Sequence, residues 1–460
     1  MATITLIIHP ATSHLNSTFK VMRSLKDLGH RIIYIDVTNG SIIDIVGKQG
    51  FEVEPIGFDH FPKPDVRKLA QFNIYGKIKK HFNYLSRIDK WILEEEIYDE
   101  IIDRIKPDLL ILDTHYTIDA ILLSKYKIPM FFYTLFVPMT KAFNVPVCTS
   151  SMIPNDSKWS HWKSRWTWIR HRVRLFLENE IYIKFFSVSF EERLRIYSLT
   201  SLLAQKNKFP LSEVIEFNKA FHIGFNNLPE IVAIPKEFDF PRDKHPNQIN
   251  IGSVVDLNRY EKMPDNELRF KESLKTESGQ VLIYCSLGTL AAIQYGNPLH
   301  FFRKVIEAFG SNNKYRLILS VGDKLTENDF ENVPENIFIF QRVPQLQVLR
   351  HANMMITHGG ISSIVECILL GVPMLVYPLS NRFDQPGNAA RVVFHKIGLR
   401  GKINYDNCKK IKKKSDSILF DLSYKTNIEN MKSAITTNND FNDGIDLIKS
   451  ALTQRLSSIY

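Results

Sequence analysis

The stretch MMITHGGISSIVE, residues 354–366, brings together residue types that can bind an anion. An apolar run ends at His358, two glycines follow, and Ser362 stands near the start of a pattern with helical period. The first N–H groups of a helix lack partners within the helix and carry partial positive charge, and glycines let a ligand approach the backbone. This spacing predicts a phosphate site, with Gly360 in the turn and His358 as an additional hydrogen-bond donor.

Each of these residues also has a purely structural explanation. Ser363 and Glu366 have the spacing of a capping box, in which the two side chains satisfy N–H groups at the start of a helix. His358, taken alone, is a strand-end histidine that the backbone can satisfy, and Asp384 with Gln385 has the composition of a helix start. A functional interpretation therefore depends on several such residues recurring in a fixed order along the chain.

A second strand-to-turn run, CSLGT at residues 285–289, offers the hydroxyl of Thr289 to the other phosphate of a diphosphate. The alternative nucleotide-binding patterns GxGxxG and GxxxxGK[ST] do not occur, so hydride transfer and P-loop chemistry have no fingerprint. No Asp-x-Asp pair occurs that could hold a divalent cation on a diphosphate. We therefore expect no metal and no bound cofactor.

Length and composition indicate a folded protein of two domains. The chain has 460 residues, 44% of them hydrophobic and 23% charged, which is enough apolar material for two cores. Although the net charge is +10, Lys and Arg cluster only at residues 158–174 and 409–414 and elsewhere alternate with acids. We expect no nucleic-acid partner.

The cysteines and the apolar runs indicate the cytoplasm. The four cysteines are far apart and form no CxxC pair, which is typical of neither a disulfide framework nor a zinc site. The first apolar run, residues 4–8, is too short for a signal peptide, and no run reaches the length of a membrane span. We expect a soluble protein in a reducing compartment.

The elements that would position these residues form two series of alternating strands and helices. The first series opens with a βαβ unit over residues 3–36 and includes the strand LLILD, which ends at Asp113. The second begins at QVLIYCSLGT, residues 280–289. This alternation predicts an α/β fold with parallel sheets. We place a first domain at 1–260, a linker at 261–278, a second domain at 279–440, and a helix at 441–460 that returns to the first domain.

The segment from RVPQLQVL through THGGISSIVECILLGVPMLVYPLSNRFDQPGNAARV resembles the nucleotide-sugar signature of family 1, the UDP-dependent glycosyltransferases. This resemblance implies a GT-B fold, two Rossmann-like domains facing across a cleft. It also implies that Val343 and Gln345 contact uracil, that His358 and Ser363 contact the diphosphate, and that Glu366 binds the ribose hydroxyls. The implied donor-binding residues are Thr289, Arg342, Val343, Gln345, His358, Gly360, Ser362, Ser363, Glu366, Asp384 and Gln385.

The amino-terminal run HPATSHLNSTFKVMRSLKDLGHRIIY resembles the opening of the same family. It places His14 at the position of the catalytic base and Asp113 at that of the carboxylate which orients the base. A base at this point suits the chemistry, because the acceptor hydroxyl must lose its proton as it attacks the anomeric carbon. One displacement would invert that carbon. From the residues alone, His14 is equally a loop histidine and Asp113 a strand-end carboxylate.

Three departures from the family pattern affect the expected ligands. Arg342 stands where most members have a tryptophan that stacks on uracil, although a guanidinium can also stack on a base. Ser13 replaces the usual glycine before the histidine, and Ser17 replaces a later proline. Five residues, 379–383, separate Pro378 from Asp384, where relatives commonly have three. The sugar, and the choice between UDP and TDP, therefore stay open.

A tryptophan-rich segment, residues 158–176, has three interpretations. It contains six Lys or Arg residues, and its apolar positions 159, 162, 166, 169, 173 and 176 form one helical stripe. Such a stripe is most often domain core. Trp159, Trp162 and Trp166 are also candidates for the wall of an acceptor pocket, and the segment is a candidate for weak contact with a membrane surface.

These observations favour an inverting, metal-independent glycosyltransferase that moves a hexose, glucose from UDP-glucose, to a hydroxyl of a small lipophilic or aromatic acceptor. Two alternatives remain. A nucleotide-sugar 2-epimerase of the same architecture would convert UDP-GlcNAc without any acceptor. A protein that binds sugar nucleotides but has lost turnover would bind the nucleotide, yet it would produce no free UDP with any acceptor.

Overall fold

The fold is seen in a computed structural model, in which the described residues are 1–38, 40–56, 95–176, 203–216, 218–220, 224–288, 298–310 and 312–458. Two sheets organise it, and all their strand pairs are parallel. The first has seven strands in the order β3-β2-β1-β4-β5-β8-β9, and the second has six in the order β12-β11-β10-β13-β14-β15. The predicted α/β class is therefore confirmed.

The first domain follows from apolar runs that are buried on both faces, as expected for strands covered by helices. Its strands are β1 (Thr3–Ile7), β2 (Arg31–Asp36), β3 (Glu52–Pro55), β4 (Leu109–Asp113), β5 (Met130–Thr134), β8 (Glu230–Val232) and β9 (Gln248–Asn250), with a separate antiparallel pair β6 (Ile215–Glu216) and β7 (Gly224–Phe225). Its helices are α1 (Thr12–Asp27), α2 (Ile43–Gly47), α3 (Glu95–Ile105), α4 (Thr117–Leu123), α5 (Lys158–Phe176) and α6 (Leu211–Val214).

The second domain repeats this construction. Its strands are β10 (Val281–Ser286), β11 (Tyr315–Ser320), β12 (Ile337–Phe340), β13 (Met354–Thr357), β14 (Met374–Val376) and β15 (Gly398–Arg400). Its helices, preceded by α7 (Glu267–Ser273), are α8 (Leu299–Phe309), α9 (Gln345–His351), α10 (Ile361–Leu369), α11 (Gln385–Phe394), α12 (Cys408–Phe420), α13 (Leu422–Thr437) and α14 (Asp440–Ser458).

The strand orders locate the candidate site. In each sheet, successive strands are added first towards one edge and then towards the other. This reversal of strand order falls between β1 and β4 in the first sheet and between β10 and β13 in the second. Ligands of open parallel sheets bind at the carboxyl ends of the strands beside such a reversal. His14 follows β1 and Asp113 ends β4, whereas His358 follows β13. All three predicted residues thus lie at switch points.

The two domains are joined by more than the chain itself. Between β9 and α7, Asp256 pairs with Arg23 of the first domain, and the carbonyl of Leu257 accepts a hydrogen bond from Arg350 of the second. At the carboxyl end, Asp440 pairs with Lys236 and Lys20 lies over the ring of Phe441, so α14 contacts the first domain. The exact domain boundaries remain predictions.

Candidate functional site

His14 and Asp113 meet at the carboxyl edge of the first sheet. The pairing of β1 with β4 sets Ile7 beside Leu112, so the loop that leads into α1 lies over the end of β4. Nδ1 of His14 is 2.6 Å from Oδ2 of Asp113. Because Nδ1–H donates to the carboxylate, the neutral imidazole carries its lone pair on Nε2, where it can accept a proton.

A second histidine, missed in the sequence, shares the same carboxylate. Nδ1 of His115 lies 2.6 Å from Oδ1 of Asp113, on the oxygen that His14 leaves free. The ring of His9 lies 5.1 Å from that of His14 and 4.7 Å from that of His115, measured between centroids. The signal was a histidine two residues beyond a strand-end aspartate, a spacing that lets the side chain fold back on the strand end.

The charge of Asp113 is stabilised by these neighbours. Burial acts to raise the pKa of Asp113, but the charges and hydrogen bonds of His14 and His115 outweigh it and hold that pKa well below its usual range. Asp113 is therefore an ionised acceptor at neutral pH, as a carboxylate that orients an imidazole must be.

His14, Asp113 and His115 are also the group of possible metal ligands found among the described residues, with ligand atoms within 4.8 Å of one another. Two imidazoles and a carboxylate are a donor set that zinc accepts. The two 2.6 Å contacts account for the arrangement without an ion, because each oxygen of Asp113 already accepts from one imidazole.

In the second domain, the turn between β13 and α10 requires its glycines. Gly359 has φ +89°, and a Cβ there would lie 2.7 Å from a methyl of Val376. A Cβ on Gly360 would lie 2.6 Å from Nε2 of His358. The His358 ring therefore packs directly against the turn at the start of α10.

His358 is neutral and incompletely satisfied. Burial lowers the pKa of His358 to about 4, so the ring is uncharged at neutral pH. Its Nδ1 and the hydroxyl of Ser362 are both buried without a hydrogen-bond partner among the described residues. The structural explanation of His358 as a histidine satisfied by the backbone is thus wrong for Nδ1, and two polar groups at the start of α10 are left for a ligand.

The capping-box explanation of Ser363 and Glu366 is also wrong. The cap residue of α10 is Gly360, without a side-chain hydrogen bond, so Ser363 already lies inside the first turn. Instead, Gln345 at the start of α9 donates to the hydroxyl of Ser363 (3.2 Å) and to Oε2 of Glu366 (2.6 Å). Three residues predicted to contact uracil, ribose and diphosphate, namely Gln345, Glu366 and Ser363, therefore form one cluster.

That cluster contains a residue the sequence analysis missed. Arg259, buried in the segment between the domains, donates to Oε1 of Glu366 at 2.7 Å and to Oε1 of Glu261 at 2.7 Å. Nothing in the local pattern around Arg259 distinguished it from other linker cations. Arg259 contacts Glu366 only because the fold brings together two residues that are 107 positions apart in the chain.

The remaining donor residues are placed differently from one another. Val343 is half-buried against the main core, whereas Arg342 is exposed and forms an ion pair with Asp323, with Nε of Arg342 2.6 Å from the carboxylate. Thr289 lies outside the described residues. Stacking of Arg342 on a base remains a prediction, and it would require the Asp323 pair to rearrange.

Asp384 and Gln385 lie where α11 begins. Asp384 is buried and accepts from Asn388 at 2.8 Å, and the side-chain oxygen of Gln385 accepts from the backbone N–H of Leu379 at 2.8 Å. Burial raises the pKa of Asp384, and the charge of His14 is among the opposing influences. Asp384 thus lies close enough to His14 to respond to its charge across the cleft.

A small cavity of about 20 Å³ lies between the two domains. From the first domain it is lined by Ser13, which precedes His14, and by Asn16; from the second it is lined by Ser362 and Glu366, with Arg259 between them. The helix on which His14 lies and the predicted nucleotide helix therefore flank the same space.

The tryptophan stripe of α5 faces outward. Trp159, Trp162 and Trp166 are each more than half exposed, with ring centroids 4.9 and 5.9 Å apart along a parallel stack. The core interpretation is therefore wrong for this stripe, because α5 buries its opposite face, where Trp168 donates to the carbonyl of Val145 at 2.8 Å. The carboxyl end of α5 contacts the second domain, where Arg174 donates to the carbonyl of Asn381.

The contact between Arg174 and Asn381 bears on whether the tryptophans of α5 bind the acceptor. Twelve residues separate Trp162 from Arg174, which corresponds to about 18 Å along a helix. None of the three tryptophans lines the interdomain cavity that the described residues form. Their part in acceptor binding remains a prediction.

Comparison with known proteins agrees with the fold. The chain is 38% identical over 103 residues to NDP-glycosyltransferase YjiC of Bacillus licheniformis, an alignment spanning 22% of this chain and 25% of that protein. It is 22% identical over 408 residues to the zeaxanthin glucosyltransferase of Pseudescherichia vulneris, spanning 87% and 86%. The solved glycotransferase of kitacinnamycin has the same fold, with TM-score 0.67, 18% identity and 98% coverage of both chains.

A family model also matches most of the chain. Residues 5–439 match the family described as UDP-glucoronosyl and UDP-glucosyl transferase. The matched region includes His14 and Asp113 as well as the helix that carries Glu366. The chain therefore belongs to the UDP-glucoronosyl and UDP-glucosyl transferase family, a family of glycosyltransferases.

Proposed function

We propose that this glycosyltransferase moves a hexose, glucose from UDP-glucose, to a hydroxyl of a small lipophilic or aromatic acceptor, with inversion at the anomeric carbon. The observation that carries the proposal is the interdomain cavity. Its walls include Ser13, adjacent to His14, and Ser362 and Glu366 of α10. The helix on which His14 lies thus faces α10 across this space, which supports a base and a nucleotide site on opposite sides of one cleft.

The residues divide the reaction between them. Nε2 of His14 takes the acceptor proton while Asp113 holds Nδ1–H and stabilises the imidazolium that forms. The departing diphosphate meets the N-terminus of α10, where His358 and Ser362 have unsatisfied polar atoms. Because His358 is neutral, it contributes a hydrogen bond rather than a charge. Direct attack from the face opposite the leaving group inverts the anomeric carbon.

We assign the donor from the side chains of the site and the acceptor from similarity to a known protein. Glu366, with Gln345 beside it, offers carboxylate oxygens to ribose hydroxyls, and buried Asp384 offers the same to a sugar. A lipophilic acceptor agrees with the similarity to a zeaxanthin glucosyltransferase over most of both chains. TDP is the second nucleotide to test, since Arg342 stands at the predicted base position.

We place the reaction in the cytoplasm and without a metal or cofactor. All four cysteines are free thiols, as in a reducing compartment. The positive end of α10 takes the part that a cation would have on a diphosphate. Among the described helices, none combines the length and the apolar character needed to cross a bilayer.

Weak contact with an anionic membrane surface is part of this proposal. The exposed stack of Trp159, Trp162 and Trp166 lies on a helix whose charged residues are all basic. Tryptophan rings favour the interface of a bilayer, and basic residues are attracted to anionic lipid. A lipophilic acceptor would be concentrated at that surface.

The test is transfer itself. Purified protein is incubated with UDP-glucose and a panel of lipophilic and phenolic acceptors, and UDP release, glycoside mass and anomeric configuration are measured. Reactions without acceptor measure donor hydrolysis, and His14→Ala measures background. UDP-dependent glycoside of inverted configuration supports the proposal; retained configuration contradicts its mechanism. Conversion of UDP-GlcNAc to its epimer without acceptor would identify the 2-epimerase. Binding of UDP, together with no release of UDP from UDP-glucose with any acceptor, would identify a binding protein.

A further inference from the structure

Arg259 occupies an unusual position for a linker residue. It lies in the segment between β9 and α7, yet it is only 8% exposed and lines the interdomain cavity. Its two terminal nitrogens donate to two different carboxylates, those of Glu366 and Glu261, each at 2.7 Å. A planar guanidinium is suited to such a bridge, because its donors are held in a fixed fork.

The carboxylate of Glu366 is held on both sides. Arg259 donates to Oε1, and Gln345 donates to Oε2 at 2.6 Å. An ionised carboxylate has about four acceptor sites, so two remain after these bonds. The arrangement therefore fixes the orientation of Glu366 while leaving each oxygen able to accept another hydrogen bond.

The charge of Arg259 matters as much as its geometry. Glu366 is only 3% exposed, and Arg259 is the cation in direct contact with it. A hydrogen bond that involves charged partners is stronger than a neutral one, so this contact holds the carboxylate firmly in place. An oriented acceptor is what a pair of ribose hydroxyls requires.

Arg259 also keeps a buried donor that neither carboxylate uses. Its Nε has no acceptor among the described residues, and neither does the hydroxyl of Ser362. Both residues line the same cavity as Glu366. Two unsatisfied polar groups thus belong to residues that line this cavity.

The segment around Arg259 is anchored on both domains. Asp256 pairs with Arg23 of α1 at 2.9 Å. Glu261 accepts from the backbone N–H of Leu346 in α9 at 2.9 Å. These contacts hold Arg259 at a constant distance from α10, so that it does not have to be ordered when the donor binds.

We propose that Arg259 is a positioning residue of the donor site, which keeps Glu366 oriented to accept hydrogen bonds from the two ribose hydroxyls of the nucleotide. This inference rests on the proposed function, because it takes the ribose to be the ligand of Glu366. Arg259 would thereby join the donor site, although it lies outside the signature segment of the sequence.

The test compares two ligands that differ only in the ribose hydroxyls. Dissociation constants of UDP and of its 2′,3′-dideoxy analogue are measured by calorimetry for the wild type and for Arg259→Met, which keeps an unbranched apolar stem but removes the guanidinium. We expect UDP to bind about tenfold or more weakly to the variant, the effect of weakening one charge-assisted hydrogen bond. Binding of the dideoxy analogue should change less than about threefold, within the scatter of such contributions.

A matched control is Arg269→Met, which removes the ion pair between Arg269 of α7 and Glu327 without touching Arg259 or Glu366. It should leave the ratio of the two dissociation constants unchanged. Arg259→Lys is the second variant, since one ammonium cannot bridge both carboxylates. It should show a smaller loss, again confined to UDP, and it keeps the test available if Arg259→Met fails to fold.

Two results would overturn the inference. Equal weakening of both ligands in the Arg259 variants would assign Arg259 to general packing or to the phosphates. Binding of UDP as tight as in the wild type, or tighter, would show that Arg259 is dispensable or competes with the ribose for Glu366. Either result leaves the proposed function intact, whereas that proposal fails if neither UDP nor TDP binds the wild type.

Discussion

Nδ1 of His14 lies 2.6 Å from Oδ2 of Asp113, although 99 residues separate the two along the chain. The other oxygen of the same carboxylate holds His115 at 2.6 Å. Each oxygen of Asp113 therefore accepts from one imidazole, and His14 is fixed in the tautomer that leaves Nε2 as the base. The site predictions that follow depend on this arrangement and on its opposition to α10.

Replacing the base should abolish turnover but not donor binding. We expect His14→Ala to lower kcat by about 10² to 10⁴, the usual contribution of a general base. UDP affinity should be unchanged, because the nucleotide contacts lie in the second domain. Turnover with UDP-glucose and calorimetric binding of UDP measure the two effects separately. Full activity of the variant would remove His14 from the mechanism.

The stability contributed by Asp113 should depend on pH. Because its histidine neighbours hold the pKa of Asp113 well below its usual range despite burial, ionisation of Asp113 stabilises the folded state above its unfolded pKa, about 4. This contribution is lost as the pH falls through the folded pKa. The cost of Asp113→Asn should therefore be fully present at pH 7 and shrink below about pH 4.

Urea unfolding of the wild type and Asp113→Asn at several pH values between neutral and acid measures this difference. Tyr126→Phe serves as a control, since it removes a hydroxyl bonded to another carboxylate, that of Asp99, away from the site. A cost of Asp113→Asn that is the same at every pH contradicts the expected charge state.

Glu366 should be required for stabilisation by UDP. A ligand that binds the folded state raises the apparent stability, by about 2.7 kcal/mol at a concentration one hundred times Kd. We expect UDP to raise the Tm of the wild type, and Glu366→Ala to lose most of that rise because no acceptor remains for the ribose. Thermal-shift titrations with UDP, TDP, GDP and NAD measure it. An unchanged shift in the variant would leave Glu366 with a structural role only.

The tryptophan stack should bind lipid without supporting the fold. We expect replacement of Trp159, Trp162 and Trp166 by serine to abolish cosedimentation with anionic vesicles. Each replacement should alter stability by less than about 0.5 kcal/mol, because the rings are exposed. Uncharged vesicles provide the lipid control. If the triple variant instead loses acceptor affinity in the absence of lipid, the rings belong to the acceptor pocket.

Removal of divalent cations should not affect transfer. No cation takes part in the proposed displacement, because α10 meets the diphosphate with its N-terminus. We expect activity after exhaustive treatment with EDTA to equal untreated activity. Loss of activity that Mg²⁺ or Mn²⁺ restores would contradict metal-independent transfer.

Local patterns in the sequence determined the parts of this protein that depend on neighbouring residues. Apolar runs such as LLILD, separated by helical periods, predicted parallel strands covered by helices. The resemblance of the segment with His358, Glu366 and Asp384 to a family signature indicated a nucleotide-sugar site. These features depend on residues that are close together in the chain, so a sequence pattern can reveal them.

Only the tertiary structure decided which distant residues share a site. The pairing of β1 with β4 brought His14 to Asp113, and the path of the linker brought Arg259 to Glu366. The tryptophan stripe of α5 shows the same limit, since its period indicates an apolar face but not whether anything covers it. Spacing along the chain determines the direction of a side chain on its own element, whereas its partners depend on how strands and helices are ordered in space.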